Sequence, residues 1–160
     1  MSLPKTAWVV LWVLTLLVAG RCVAEENTAG ITRVFTHESG AKLFLTPYGK
    51  PGDKNYLVMF EHFNNPWDGK VILHHSIDSD FHTKYEIRIA TGNKFRPYKT
   101  FISIVDGQGK TLLNGTIVPV IEVSLPGKSQ PLFMEQSATD REISQELVKT
   151  YQTQNYQVTF

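Results

Sequence analysis

The apolar residues beyond position 30 occur in short runs that Gly, Pro, Asn and Asp separate. This spacing is typical of strands joined by turns. The predicted strands are residues 31–36, 41–46, 56–60, 71–75, 85–90, 101–105, 116–125 and 131–134, with a polar loop at 47–55 and a tight reversal at 106–109. In the fifth run Tyr85, Ile87 and Ile89 alternate with Glu86 and Arg88, which predicts a strand with one buried face. Pro119 indicates an edge strand or a bulge in the seventh run.

One segment has the period of a helix instead. Between residues 139 and 151, Ile143, Leu147, Val148 and Tyr151 fall on one side, and Thr139 followed by Glu142 matches a capping box. We therefore expect an amphipathic helix packed on the sheet. The predicted fold is mainly β: an antiparallel β-sandwich or a strongly curved sheet with one helix near the carboxyl end. An α+β roll, with the helix filling the concave side of the sheet, is the alternative.

The amino terminus has the layout of a secretory signal peptide. Lys5 precedes an apolar run at residues 7–19, and Ala24 ends a short segment that Glu25 and Glu26 follow. A retained membrane anchor normally needs about 20 apolar residues, which is longer than this run. We predict a signal peptide at 1–24, a single β-rich soluble domain at 25–160, and a secreted or periplasmic protein.

Cysteine content and charge limit the catalytic groups and the partners that the chain is expected to have. Cys22 is the only cysteine and lies in the predicted leader, so the exported chain is expected to have no disulfide and no thiol nucleophile. Two of the 16 Lys and Arg residues also lie in the leader, which leaves 14 against 15 Asp and Glu. A nearly neutral chain without a basic stripe argues against nucleic acid as a partner.

The last residues suggest one more strand. Tyr156, Val158 and Phe160 alternate with polar residues and resemble the carboxyl-terminal strand of bacterial outer-membrane barrels. The predicted strands are mostly five or six residues long, whereas membrane barrels use strands of about 10. We therefore expect a closing strand in a soluble sheet, with no stable membrane insertion after the leader is removed.

A candidate metal site lies between residues 74 and 82. If this segment is extended, alternation places His74, Ser76, Asp78, Asp80 and His82 on one face. Imidazole and carboxylate groups are ligands for zinc or another divalent metal, although no established ligand spacing is matched. Because Asp78-Ser79-Asp80 is also good turn chemistry, a solvated loop is the competing interpretation. Apart from this possible metal, no cofactor is indicated.

Other catalytic signals are weak. Glu61 and His62 suggest an acid–base pair, but neighbours on a strand point to opposite faces. No nucleophile elbow, zinc-protease motif or phosphate-binding glycine loop occurs in the sequence. An enzyme is therefore the less favoured class, although a catalytic triad can assemble from residues distant in sequence.

An aromatic loop is the candidate binding surface. Phe63, Asn65, Trp67 and Asp68 belong to a segment rich in Asn, Pro and Gly at 63–69. Aromatic residues on loops are frequent binding anchors, and they also fold back to cap a core.

These features favour an exported, non-enzymatic binding protein. Its partner is expected to be another protein of the envelope or the extracellular space, recognised through the loops at 64–69 and 78–82 as an inhibitor or accessory factor. A metal-binding protein or metal-dependent hydrolase is one alternative, and a small-ligand carrier with a pocket inside a curved sheet is another.

Overall fold

Eight antiparallel strands close into a barrel, and one helix packs on its outside. The structure, a computed structural model, describes residues 29–91, 94–97, 103–125 and 128–154. The elements are β1 (Thr32–Thr36), β2 (Lys42–Tyr48), β3 (Asn55–Glu61), β4 (Val71–Asp78), β5 (Thr83–Glu86), β6 (Arg88–Thr91), β7 (Lys94–Pro97), β8 (Ser103–Thr111), β9 (Ile117–Ser124), β10 (Leu132–Asp140) and α1 (Arg141–Thr153).

The strands are arranged around the barrel in chain order, except that two strands lie outside it. Around it the strands run β1, β2, β3, β4, β5, β8, β9 and β10, while β6 and β7 form a separate two-stranded hairpin. The barrel closes because β10 pairs with β9 on one side and with β1 on the other, from Thr32 opposite Asp140 to Thr36 opposite Glu135. The mainly β prediction is confirmed. A single closed sheet without free edges replaces the expected sandwich, since the first and last strands pair with each other.

The inward faces of the strands supply the main core. Strand alternation places every second side chain inside the barrel. The buried residues of this cluster are Phe35, Ala41, Leu43, Leu45, Val58, Phe60, Phe63, Tyr85, Ile104, Ile121, Val123 and Met134. Burying side chains of this size contributes about 1.5–3 kcal/mol each relative to exposure, so this cluster is the main stabilising feature of the fold.

Helix α1 covers a second, smaller cluster on the outer wall. Leu147 is buried against outward-facing Val34, Phe44, Leu57 and Val71. Thus the helix packs on the outer face of β1, β3 and β4 and does not fill the concave side, so the α+β roll is wrong. No helix in the described part of the chain is long and apolar enough to cross a bilayer.

Polar contacts fix both ends of α1. Asp140 caps the first turn, because its carboxylate accepts hydrogen bonds from Glu142 N at 2.7 Å and Ile143 N at 3.0 Å. The Thr139 capping box is wrong, because Thr139 still belongs to β10 and pairs with Arg33. At the other end, the Gln154 side-chain amide donates to the backbone oxygen of β4's first residue.

Two predicted turns and strands differ in the structure. The reversal at 106–109 is wrong, because β8 continues through it and turns only at residues 112–116. Gly107, with φ of 141°, forms a bulge where the pairing with β9 shifts by one residue. Pro119, on β9, lies opposite Gly109 of β8 near this bulge, and the described pairing of β9 with β10 extends only as far as Val120. The run 85–90 is divided at Ile87 between β5 and the separate hairpin.

The remaining predicted elements are present or lie outside the described residues. The hairpin at 31–46, the strands at 56–60 and 71–75, and the helix near the carboxyl end agree with the prediction. The run 131–134 is the start of the longer β10. The signal peptide at 1–24 and the closing strand at 156–160 lie outside the described residues.

Candidate functional site

The two ends of the barrel are built from different loops. Strand β3 runs from Asn55 to Glu61 and pairs antiparallel with β4, which runs from Val71 to Asp78. The β3–β4 loop therefore lies at one end, which we call the sealed end. The β2–β3 loop, the β4–β5 turn and the β8–β9 turn lie at the other, which we call the open end.

Aromatic side chains fill the sealed end. Phe63 is buried and meets Phe60 edge to face, with ring centroids 5.2 Å apart. Ala41, from the adjoining β1–β2 connection, belongs to the same buried cluster. The rings therefore occupy the interior at this end, and Phe63, a predicted binding residue, is part of the core.

The rest of the aromatic loop is held by its own hydrogen bonds. The Asp68 carboxylate accepts from Phe63 N at 3.1 Å and from Asn64 N at 2.9 Å. Asn65 Oδ1 accepts from Trp67 N at 2.7 Å. Asp68 and Asn65 thus shape the loop, while Trp67 is half-buried with Lys70 Nζ 5.5 Å from its ring centroid.

A cavity of about 370 Å³ occupies the open end. Inward-facing Pro47, Tyr56 and Ser76 form its inner wall, because Pro47 pairs with Tyr56 across β2 and β3 and Ser76 follows on β4. The rest of the wall consists of Ala29, Gly30, residues 48–52 and Lys54, Asn55 and Asp78. The cavity lies within the range of about 300–1,000 Å³ that is typical of small-molecule sites.

An exposed ion pair lies on the rim of this cavity. Lys54 Nζ is 3.0 Å from Asp78 Oδ2, and the Thr83 hydroxyl donates to Asp78 Oδ1 at 2.9 Å. The hydrogen bond from Lys54 and then that from Thr83 lower the pKa of Asp78. The carboxylate is therefore charged at neutral pH and already paired.

A second polar group occupies the opposite wall of the barrel. Arg33 forms an ion pair with Asp106, and its Nε donates to Gln136 Oε1 at 3.0 Å. The guanidinium lies 4.8 Å above the ring centroid of Phe35. Burial and then the negative charge of Asp106 raise the pKa of Tyr85, so its hydroxyl stays protonated. Both charges of this group are therefore matched within the barrel.

His74 is buried inside the barrel with a single hydrogen bond among the described residues. It is 1% exposed, and its Nδ1 donates to Ile72 O at 3.0 Å. Burial lowers its pKa to about 4, so the imidazole is neutral and Nε2 carries a lone pair. Nε2 has no hydrogen-bond partner in the described structure.

The four candidate metal ligands lie in different surroundings. His74 is buried, whereas β4 ends at Asp78 and a turn follows, in which Ser79 N donates to His82 O at 2.9 Å. Asp80 and His82 are therefore exposed and lie off the inward face of the strand. Among the described residues no three His, Cys, Asp or Glu side chains are grouped to hold a metal ion. The metal assignment stays a prediction, without a grouped ligand set to support it.

Large apolar side chains are exposed at the open end. Phe81 in the β4–β5 turn is 87% exposed, Leu113 in the β8–β9 turn is fully exposed, and Ile117 is 68% exposed. The β4–β5 turn lies against β8, since a Cβ on Gly107 would lie 2.6 Å from Phe81 O. Exposed apolar residues in one region are a usual feature of interaction sites.

The two predicted binding loops lie far apart. Residues 64–69 precede β4 and residues 78–82 begin at its last residue, so the length of this eight-residue strand separates them. At about 3.3 Å per residue the separation is about 25 Å. A single small contact surface therefore cannot include both loops.

The ion pair inside the barrel and the wall of the cavity were not predicted from the sequence. Arg33 and Asp106 are 73 residues apart, and only the closure of the barrel brings them together. The available signal was the alternation of β1, which puts Arg33 on the same face as buried Phe35. The loop at 47–55 was recognised for its Pro and Gly residues but not as the wall of a cavity.

Comparison of the chain with protein-family models, with curated proteins and with solved structures finds no match in any of the three.

Proposed function

We propose that this chain is an exported, non-enzymatic binding protein whose ligand is a small molecule held in the open end of the barrel. The observation that carries the proposal is the cavity beside Tyr56 and Ser76, in a barrel whose other end Phe63 closes. An eight-stranded barrel has an interior just wide enough to be filled by side chains or to hold one small ligand.

The choice of side chains supports a binding role for this end. At the open end, inward-facing Ser76 and Pro47 carry small side chains beside the Tyr56 and Tyr85 rings, whose centroids are 4.9 Å apart. The walls combine the Pro47 and Tyr56 rings with polar groups such as Asn55, the mixture that is usual in small-molecule sites. The ligand would thus have apolar faces to pack against and hydrogen bonds to fix its orientation.

Native mass spectrometry of the exported protein tests this proposal. We expect a fraction of molecules to carry a small-molecule adduct that denaturation releases. Ser76→Met would place a larger side chain in the space that the ligand needs and should lower that fraction at least about fivefold, which corresponds to a loss of about 1 kcal/mol in binding free energy.

The control is Ile77→Met, the next residue of β4, whose side chain faces outward. This variant should keep the adduct. A library of small metabolites should also contain compounds that raise the melting temperature, because a ligand that binds the folded state stabilises it. The absence of an adduct, together with no stabilisation by any compound, would contradict the proposal.

Recognition of another protein of the envelope or extracellular space is the second candidate. The exposed Phe81 and Leu113 at the open end favour it. A pull-down from an exported fraction should then yield a stoichiometric partner that a double Phe81→Ser, Leu113→Ser variant fails to retain. Phe133→Ser is the control, because Phe133 is 51% exposed on β10, paired with Glu122 towards the sealed end.

The aromatic loop and the metal assignment have separate tests. Trp67→Ala, at the sealed end, should weaken a protein partner that uses that end, while loss of binding in the Phe81 variant alone would assign the partner to the open end. Elemental analysis of untagged protein tests zinc or another divalent metal. Metal well below one equivalent, without a thermal shift on adding zinc, would remove the metal hypothesis.

A further inference from the structure

The ion pair in the cavity wall combines a donor and an acceptor that can both make further hydrogen bonds. Lys54 Nζ has three N–H groups and gives one of them to Asp78 Oδ2 at 3.0 Å. Asp78 Oδ1 accepts from the Thr83 hydroxyl at 2.9 Å, so each carboxylate oxygen has one described donor although it can accept two. Donor and acceptor capacity for a ligand therefore lies side by side.

The backbone fixes the position of this pair. Ser76 N donates to Lys54 O at 2.7 Å, so the residue before β3 is held against β4, whose last residue is Asp78. Lys54 has a φ of 56°, in the left-handed region where glycine or asparagine is more usual. Backbone strain of this kind is often found at binding sites, and here it accompanies a side chain that lines the cavity.

The outer wall of the cavity is also held in place. Lys50 N donates to the Asp53 carboxylate at 2.9 Å, and Asp53 N donates to Lys50 O at 3.0 Å. Gly30 lies against the Pro47 ring, where an added Cβ would be 2.9 Å from Pro47 Cγ. The wall is therefore formed before a ligand binds, which reduces the entropic cost of binding.

The charges around the cavity are balanced. Its lining contains Lys50, Lys54 and Asp78, and the Asp53 carboxylate lies in the same loop as Lys50. Two basic and two acidic residues of the described chain thus surround the opening, which gives no net charge to select an ion. Because the Lys54–Asp78 pair is about half exposed, a neutral ligand can hydrogen-bond to both charges without separating them.

Rings supply the apolar part of the same cavity. Pro47, Pro51 and Tyr56 belong to its lining, and Tyr56 is held edge to face by Tyr85. The volume of about 370 Å³ is at the small end of the range for small-molecule sites, which suits a single substituted ring. The ligand therefore needs an apolar face and adjacent groups that can both donate and accept, and hydroxyl groups do both.

Resting on the proposed function, we propose that the ligand of the cavity is an uncharged sugar ring. Two adjacent hydroxyls bridge the ion pair: one accepts a hydrogen bond from Lys54 Nζ, and its neighbour donates one to the Asp78 carboxylate. The C–H face of the ring packs against Pro47 and Tyr56. The sugar is either free or the terminal residue of a glycan, since the exposed residues 50–52 form the outer wall.

Titration of the ¹⁵N-labelled exported protein with four neutral sugars and with phenol tests the inference. The sugars are glucose, galactose, mannose and N-acetylglucosamine, and the backbone amides of Lys54, Asn55 and Ser76 are followed by NMR. We expect at least one sugar to saturate the shifts of these amides and to bind at least about tenfold more tightly than phenol. Phenol has a single hydroxyl and cannot bridge the pair, and one hydrogen bond to a charged group supplies about this factor.

Two variants each remove one half of the bridge. Lys54→Met and Asp78→Asn should lower the affinity for the preferred sugar at least about tenfold and change that for phenol less than about twofold. The matched control is Lys110→Met, which breaks the ion pair with Glu135. The side chains of that pair are 56% and 42% exposed, against 51% and 53% for Lys54 and Asp78, and its loss should leave sugar binding unchanged. If a variant fails to fold, the preference of the unmodified protein for sugar over phenol still decides the question.

A disaccharide with the preferred sugar at its non-reducing end distinguishes the two sources of the ligand. Binding at least as tight as that of the monosaccharide would assign the cavity to the end of a glycan, and loss of binding would assign it to a free sugar.

The remaining outcomes separate the inference from the proposed function. Binding of phenol without any sugar, or a sugar that binds equally well to the unmodified protein and to both bridge variants, would overturn the inference and leave cavity binding intact. Binding of no probe, with no adduct in the exported protein, would overturn the inference together with the proposed function.

Discussion

Acidification should destabilise the protein through His74. The imidazole is neutral and fully enclosed in the folded state, where burial lowers its pKa from 6.5 to about 4. Below pH 6.5 the unfolded chain therefore binds a proton that the folded chain does not. Stability is full above pH 6.5 and falls as the pH decreases towards 4. The fall in the pKa of His74 from 6.5 to about 4 corresponds to about 3 kcal/mol of stability over this window, of which about 2 kcal/mol is lost between pH 7 and pH 5.

Urea unfolding at pH 7, 6 and 5 measures this loss. Carboxylates also titrate in acid, so the informative quantity is the difference between wild type and His74→Met. This variant keeps an apolar volume in the barrel and should lose about 2 kcal/mol less than wild type between pH 7 and 5. Leu73→Met, on the outer face of the same strand, should follow the wild-type curve. Parallel curves for wild type and His74→Met would refute the burial of a neutral imidazole.

Three further predictions concern stability and are measured by urea unfolding at pH 7. Gly107→Ala should lower stability by at least about 2 kcal/mol, because the new Cβ would lie 2.6 Å from Phe81 O at a backbone φ of 141°. Gly40→Ala is the control: its φ is 87° with open space around it, and it should cost about 1 kcal/mol. Equal costs would contradict the close approach at Gly107. Asp140→Ala should cost about 1 kcal/mol and lower helicity in circular dichroism, since it removes the cap of α1; an unchanged spectrum and stability would count against that cap. Asp106→Leu should lower stability by less than the about 3–5 kcal/mol that is lost when one partner of a fully buried ion pair is removed, because Arg33 is partly exposed. Adding Arg33→Met should restore most of this loss. A double variant as unstable as the single one would show that the unpaired Arg33 is not the cause.

Local periodicity was sufficient to predict most of the strands and the helix, but not how they are arranged. The helical spacing of Ile143 and Leu147 depends on nearby residues only, and this helix is present, whereas the predicted strand that contains Tyr85 is divided between β5 and the separate hairpin. The closure of the barrel depends on the pairing of β1 with β10, whose paired residues Thr32 and Asp140 are more than 100 positions apart. No local pattern distinguishes a closed sheet from two stacked sheets, because both bury every second residue.

The wrong prediction of a reversal at 106–109 has a related cause. Asp-Gly and Gln-Gly pairs suit tight turns, and the same glycines suit a β-bulge. Strand β9 decides between them, since it pairs with β8 on both sides of Gly107. The turn is instead at Asn114 and Gly115, where Asn114 Oδ1 accepts from Thr116 N at 3.0 Å.

In the candidate site too, the roles of side chains depend on contacts that the local sequence does not specify. Asp68 and Asn65 were singled out as binding residues, and the structure uses their side chains to hold the loop. The turn at Ser79 removes the common face that an extended strand would have given His74 and His82. The matched charges of Arg33 and Asp106 required knowledge of which strands meet.

The small side chain of Ser76 at the open end allows a further test of the proposed binding role. Phe60 and Phe63 fill the interior at the sealed end, whereas at the open end small Ser76 lies opposite Tyr85, whose ring packs against Tyr56. A structural role alone would favour similar filling around Ser76, because larger apolar side chains there would bury more surface. Sites selected for binding commonly give up such stability. Ser76→Met should therefore leave stability unchanged or higher while it lowers ligand binding, and a variant that loses stability and binding together would indicate a merely structural position.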